Sequence, residues 1–404
     1  MRKISILAAL LLLAPGISQA QSLEDLLAEK GVITKSEARA SHHMGGGKVY
    51  WNEGSRLDFA DTGFTANIST QLQTRYEFSD IDEGQNTSSF DIRTARISIS
   101  GTALNEEFSY MVQTEFAGES AELLDAYIQW NACEGMGLRM GQFKTPISRQ
   151  FGTSVSQLQF ADRSSVSDAF TLGRQSGLMG MMDLGDTATL SAGIFNGLSD
   201  GEFSVDGSGG LNRSGVDTRH TGTVSLRADL MGEMDAFEEG DVHHTEDAAL
   251  NMGVTYALSQ INSMPAGKAD VHSLSGDLNF KSQGLSFHTE AFWHELDIDS
   301  GSSVDNWGLY AQLGYFVMPK KLELAARYGY LDCDDGSAVV FGGNGQSACA
   351  SSDKLNEIDA SINYYWWAHH LKAQIGWNHL NKVGIGSASD SNDNRWLLQL
   401  SSWF

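Results

Sequence analysis

From Gly63 onward, apolar and polar residues alternate in runs separated by turn signals, the pattern of strands with one oily and one wet face. In SYMVQTEF, Tyr110, Val112, Thr114 and Phe116 share one face, and Met111, Gln113 and Glu115 the other. In LLDAYIQW, Leu124, Ala126, Ile128 and Trp130 oppose Asp125, Tyr127 and Gln129. The runs predict sixteen strands, near 63–78, 89–102, 106–117, 121–132, 137–145, 175–183, 187–197, 218–230, 248–258, 269–281, 284–295, 304–318, 321–332, 355–367, 369–381 and 394–404. Connections after even-numbered strands are mostly tight (ALNE, ACEGM, LGDT, SQG, MPKK, Ala368), and those after odd-numbered strands are often longer. The acidic segment Met231 to Asp247 is the exception, being long where a short turn is expected. The fold class that follows is all-β: a transmembrane antiparallel β-barrel of about 16 strands. A soluble sandwich would also alternate, but here the polar face carries Arg, Glu and Asp in many strands, unlike a packed core. The last strand, RWLLQLSSWF, puts Trp396, Leu398, Leu400 and Phe404 on one face, and its terminal aromatic resembles the signal by which outer-membrane barrels are inserted.

Ahead of the strands the pattern changes. Arg2 and Lys3, an apolar run from Ile4 to Ala14 and the small-x-small site Ser18-Gln19-Ala20 read as a cleaved signal peptide over residues 1–20. The run is too short to span an apolar layer about 30 Å thick. Residues 22–39 read as a short helix and the start of another, with capping-box spacing at Ser22/Asp25 and Thr34/Glu37. The expected organisation is therefore a signal peptide (1–20), an N-terminal periplasmic helix and linker (21–62), and a barrel (63–404). Within the linker, KVYWNEG is either an extra strand or a plug-like piece.

Charge narrows the function. The chain carries 27 basic and 51 acidic residues, a formal −24, which argues against nucleic acid as a partner. One stretch departs from this. After FDIRTARISISG, SYMVQTEF, LLDAYIQW and LRMGQFK, the segment TPISRQFGTSVSQLQFADRSSVSDAFTLGRQ stops alternating. From Arg139 to Gln175 five basic side chains stand against Asp162 and Asp168. This segment is expected to fold into the pore, where fixed charge acts more strongly than in bulk water and sets selectivity. The candidate pore-lining residues are Arg96, Arg139, Lys144, Arg149, Arg163 and Arg174. Arg96 lies opposite Ile97 and Ile99 in the alternation, Arg139 opposite Leu138 and Met140, and Arg149 and Arg163 sit in the inward segment. The competing reading is that some of them tie that segment to the wall, for example Arg163 with Asp162 or Asp168.

Three cysteines are present; Cys333 and Cys349 flank one Gly/Ser-rich stretch and are expected to form a disulfide in an oxidising compartment, with Cys133 left over. The acidic runs from Asp80, Leu296 and Leu331 lack a complete calcium-loop pattern and read as hydrated outer surface. No metal, cofactor or catalytic motif is expected, and the chain is not read as an enzyme.

Four segments carry a family resemblance: Phe90 to Gly101, Leu123 to Trp130, Leu138 to Pro146 and Phe160 to Ser165, with LLAEKGVITKSEA as a similar leader. In order and spacing they resemble the phosphate-selective porin O and P family. The resemblance implies a sixteen-stranded barrel in the outer membrane of a Gram-negative bacterium, usually a homotrimer, with its third loop folded inward. Where the family form often carries two adjacent arginines, this chain reads Arg93-Thr94-Ala95-Arg96. The expected function is passive diffusion of small hydrophilic solutes, with anions such as phosphate favoured. The alternatives are a general or cation-preferring porin and, in another class, a non-conducting structural or adhesin barrel. The expected partners are small anionic or hydrophilic solutes, outer-membrane lipid and further copies of the chain.

Overall fold

The computed structural model describes residues 48–404, apart from 52–53, 60–62, 83, 198–211, 214–215, 265–266, 300, 334–351 and 385–389. The signal peptide and the leader helix lie outside the described residues, as does Cys349. The first half of the sheet comprises β1 (Lys48–Trp51), β2 (Ser55–Phe59), β3 (Phe64–Asp80), β4 (Thr87–Ala103), β5 (Phe108–Glu115), β6 (Glu122–Cys133), β7 (Met136–Lys144), β8 (Arg174–Asp183), β9 (Ala188–Phe195) and β10 (Asn212–Arg213). The second half comprises β11 (Val216–Met231), β12 (Ala249–Met264), β13 (Gly267–Ser282), β14 (Leu285–Ile298), β15 (Ser302–Met318), β16 (Leu322–Cys333), β17 (Ser352–Trp367), β18 (Leu371–Gly384) and β19 (Ser391–Trp403).

Sixteen of these, β3–β9 and β11–β19, form the closed antiparallel barrel expected from the alternation. Closure comes from β19, which pairs with β3 from Asn394↔Asp80 to Trp403↔Gln71. Beyond it, the Phe404 carbonyl accepts from the Thr70 N–H at 2.6 Å. The period-2 pattern sorts side chains as a barrel in lipid requires. In β19, Trp396, Leu398 and Leu400 face outward, and Gln399 and Ser401 are buried inside. KVYW is a strand: β1 pairs with β2, and β2 with the start of β3. Trp51 rests 4.9 Å from Trp367, so the hairpin is held by aromatic contact near the closing strand.

One irregularity matters for the lumen. Gln73 pairs with Thr94 and Thr74 with Ile92, so Arg93 is the extra residue of a β-bulge. Strict alternation would place Arg93 with Ala95 and Ile97 on the lipid face; the bulge brings its guanidinium to 3.5 Å from Asp162.

Two segments enter the barrel. The third loop, residues 145–173, carries α1 (Arg149–Gly152) and α2 (Ser165–Phe170). Its apolar side chains pack on the inner wall of β12–β17: Ile147 and Leu172 with Ala257 and Val271, and Val166 and Phe170 with Phe292, Tyr310 and Leu331. Phe170 stacks on Phe292 at 5.3 Å. Burying side chains of this size stabilises by about 1.5–3 kcal/mol each. The long acidic turn between β11 and β12 enters from the opposite rim. Val242 packs on Phe316 and Tyr365, and Phe237 closes so tightly on Gly152 that a Cβ there would lie 2.7 Å from the ring. Glu239 of this turn accepts from the Gln159 N–H, Gln150 and Gln312, each at 2.9 Å. Loop and turn thus form one polar latch filling the β12–β18 side.

Replacing Glu233–Asp247 with a short Asn-Gly hairpin turn should open this side. Single-channel conductance in planar bilayers is expected to rise at least about twofold, since pore width sets the current; an unchanged conductance would show that the turn does not restrict flow.

Candidate functional site

The third loop crosses the lumen from wall to wall. Two buried glutamates of the wall receive its helix starts. Glu290 on β14 accepts from the Arg149 and Gln150 N–H groups and from Ser148 Oγ. Glu357 on β17 accepts from the Ser165 N–H at 3.0 Å and from Ser164 Oγ at 2.7 Å. Each supplies an acceptor where the first turn of a helix leaves N–H groups unpaired, and a negative charge where the helix dipole favours one. The loop's middle reaches β3: Gln71 donates to Ser154 Oγ and Gln73 to the Val155 carbonyl. Asp162 is clamped by Arg75 at 2.8 Å and Arg395 at 3.0 Å, with Arg93 at 3.5 Å. Burial alone would raise the Asp162 carboxyl, but the Arg75 and Arg395 guanidiniums hold it well below the usual range.

The main open space runs along β3–β9 as two compartments divided by the loop, the upper one reaching across to β17–β19. The lower one, about 680 Å³, is lined by Gln71, Gln113, Tyr127, Arg139 and Lys144 among others. The upper one, about 660 Å³, includes Arg75, Arg93, Asp162, Arg163 and Asp168. Arg96 borders both, so it marks their junction.

The six candidate residues meet different fates. Arg96 faces the lumen and pairs with Glu115 at 2.7 Å. Arg174 is drawn onto Asp125 at 3.0 Å and is largely covered. Arg139 donates to Gln129 Oε1 at 3.0 and 2.7 Å and lies over the Tyr127 ring at 4.2 Å. Lys144 donates to the Gly152 and Thr153 carbonyls. Arg163 donates to the carbonyls of Gln150 and Thr153, not to Asp162 or Asp168. Among the described residues, Arg139, Lys144 and Arg163 have no carboxylate in ion-pair contact. Arg149 is the correction. Its side chain is 0% exposed, 3.5 Å from Glu239 and 4.0 Å from Asp277, so it joins turn, loop and wall and does not meet the water. A buried carboxylate needs such a partner, and that need overrode the inward position read from sequence. Arg75, Arg93 and Arg395 are lumen residues that sequence reasoning missed. Alternation could have revealed Arg75 and Arg395, opposite Tyr76 and Trp396; the bulge hid Arg93. The predicted Cys333–Cys349 pairing reaches outside the described residues, and Cys133 is exposed and free.

A closed barrel with an apolar outer wall and a polar lumen narrowed by its third loop is an outer-membrane porin. The family model described as phosphate-selective porin O and P matches residues 68–400, and the chain belongs to that family. Among solved structures, the chain is similar to the outer-membrane channel DcaP of Acinetobacter baumannii, with a TM-score of 0.60 at 14% identity, covering 85% of this chain and 98% of that one. It is equally similar in fold to an anion-selective porin from Comamonas acidovorans, with a TM-score of 0.60 at 10% identity, covering 84% and 100%. OmpT of Vibrio cholerae in its trimer form gives 0.52 at 12% identity, covering 84% and 99%. No match was found among curated protein sequences. The family passes small solutes, so the lumen is a channel.

Arg149→Ala would leave Glu239 buried without its cation, a loss of about 3–5 kcal/mol. It should lower the melting temperature of the detergent-solubilised barrel, whereas Arg139→Ala should change it little. Asp168 supplies a pH dependence. Burial raises its carboxyl to about 6, against the pull of Arg163 and with Asp162 adding to the rise. It is therefore ionised at pH 7 and mostly neutral at pH 5. Lowering the pH removes one negative charge from the upper compartment, so anion preference read from reversal potentials should increase between pH 7 and 5, and Asp168→Asn should flatten that change.

Proposed function

We propose that this porin favours anions, phosphate among them. The carrying observation is the pair of cations, Arg139 and Arg163, held on carbonyls, an amide oxygen and aromatic rings instead of carboxylates. Burial brings Arg163 down only to about 10, so it stays charged at neutral pH. Of the basic residues that line the lower compartment, Arg96 is paired with Glu115 and Arg227 with Asp277, while Asp125 is taken by Arg174, so Arg139 stands there without a carboxylate partner among the described residues. At 4 Å and an effective dielectric near 20, a unit pair interacts by about 4 kcal/mol, against about 1 in bulk water. A few such groups outweigh a distant acidic exterior that salt screens. The family's description and the anion-selective Comamonas porin of similar fold point the same way.

A cation-preferring or general porin is the second reading. It is favoured by the upper compartment, where Glu77, Asp91, Asp162, Asp168, Glu357 and Asp393 face Arg75, Arg93, Arg96, Arg163 and Arg395. The anion reading ranks first because Asp162 and Glu357 are already spent on arginines and helix starts.

Three further readings belong with this proposal. The working unit is a homotrimer in outer-membrane lipid, supported by the trimer form of the similar Vibrio porin and by the low wall at β5 and β9, strands of 8 residues beside β11 and β12 of 16. Residues 1–20 direct export and 21–62 precede the barrel, and Cys333 pairs with Cys349.

Reversal potentials under a tenfold KCl gradient test the selectivity. Chloride is expected to be preferred over potassium at pH 7, and Arg139→Gln with Arg163→Gln should bring the permeability ratio towards one. A potassium preference in the wild type would overturn the anion reading.

A further inference from the structure

A porin lumen is expected to be polar, because water must wet it. The lower compartment departs from this on one side. Met111, Tyr127, Met179 and Met181 occupy inward positions of β5, β6 and β8 and border the open space. The outward positions of the same strands carry Val112, Ile128, Leu178 and Met182, so these apolar groups face the solute and not the lipid. Behind them, Phe143 packs with Met179 and Phe195. The patch is built into the wall, with Tyr127 edge-on to Phe143 at 6.0 Å.

A cation sits on this shelf. The Arg139 guanidinium lies 4.2 Å from the Tyr127 centroid and 5.4 Å from that of Phe143. Its Nε and Nη2 donate to Gln129, while Nη1 has no hydrogen-bond partner among the described residues and is available to an incoming acceptor. Lys144 borders the same space. The arrangement offers a charged donor for one end of a solute and a polarisable thioether and aromatic surface for the other. Inorganic phosphate would use only the first. The compartment, about 680 Å³, falls within the roughly 300–1,000 Å³ usual for small-molecule sites.

We propose that the lower compartment is a binding subsite for small aromatic carboxylates, with the carboxylate on Arg139 and the ring against Tyr127, Met179 and Met181. This rests on the anion-preferring reading and names the solute class it serves. Two carboxylates of equal charge, one with a ring and one without, are then separated by the shelf, and thioethers make favourable contacts with aromatic rings.

The test is block of chloride current through the full chain in planar bilayers by benzoate, acetate, inorganic phosphate and benzylammonium. Benzoate is expected to half-block at a concentration at least about tenfold below that of acetate or phosphate, as burial of a ring's apolar surface requires. In Met179→Thr/Met181→Thr the difference between benzoate and acetate should fall to about twofold, and in Arg139→Gln benzoate block should weaken by at least about tenfold. Benzoate no better than acetate in the wild type overturns the ring contact while leaving anion preference intact. Stronger block by benzylammonium than by benzoate overturns the anion reading beneath it.

Discussion

The structure depends on two buried carboxylates in the barrel wall. Glu290 and Glu357 receive the first N–H groups of the two short helices in the third loop. Neither helix, of 4 and 6 residues, is long enough to be stable by itself. A carboxylate at each start offsets the unpaired donors, and the barrel side chains packed on α2 hold it there. The loop is thereby pinned to β14–β17, and its middle must cross to β3, where Gln71 and Gln73 receive it.

The position of the open path follows from that attachment. One side of the lumen is filled by loop and inward turn, sharing Glu239 and Arg149 as a common joint. The other side stays open along β3–β9 and, in the upper compartment, across to β17–β19, and the cations there are of two kinds. Some are consumed by the structure, as Arg75 is by Asp162 and Arg174 by Asp125. Others are held in place by carbonyls and rings, which orient a charge without neutralising it. A chain with a large negative total can therefore keep cations without carboxylate partners beside the open compartments, and it is the few groups within reach of a solute that act on it most strongly.

Much of this was legible in the sequence. The alternation located all sixteen barrel strands, since a wall with lipid outside and water inside imposes the period-2 pattern directly. The non-alternating basic segment marked the inward loop for the same reason. The side of the lumen each arginine serves was not legible. Arg149 and Arg163 sit in the same loop and look alike in sequence, yet one is locked against Glu239 and the other borders the upper compartment. That difference depends on Glu239 and Asp277, far away in the chain. Arg93 was hidden by a bulge that breaks the pattern at one position. The acidic turn after β11 stood out only by its length; its inward fold comes from tertiary contacts with the loop.

The most direct measurement is cysteine accessibility in a Cys133→Ser background. Arg96→Cys lies where the two compartments meet, and Ser273→Cys is buried on the filled side. A negatively charged methanethiosulfonate added to open channels should cut the current stepwise at position 96 and leave it unchanged at position 273. Reaction and block at 273 with none at 96 would contradict the account, because the path would then run where loop and turn are packed.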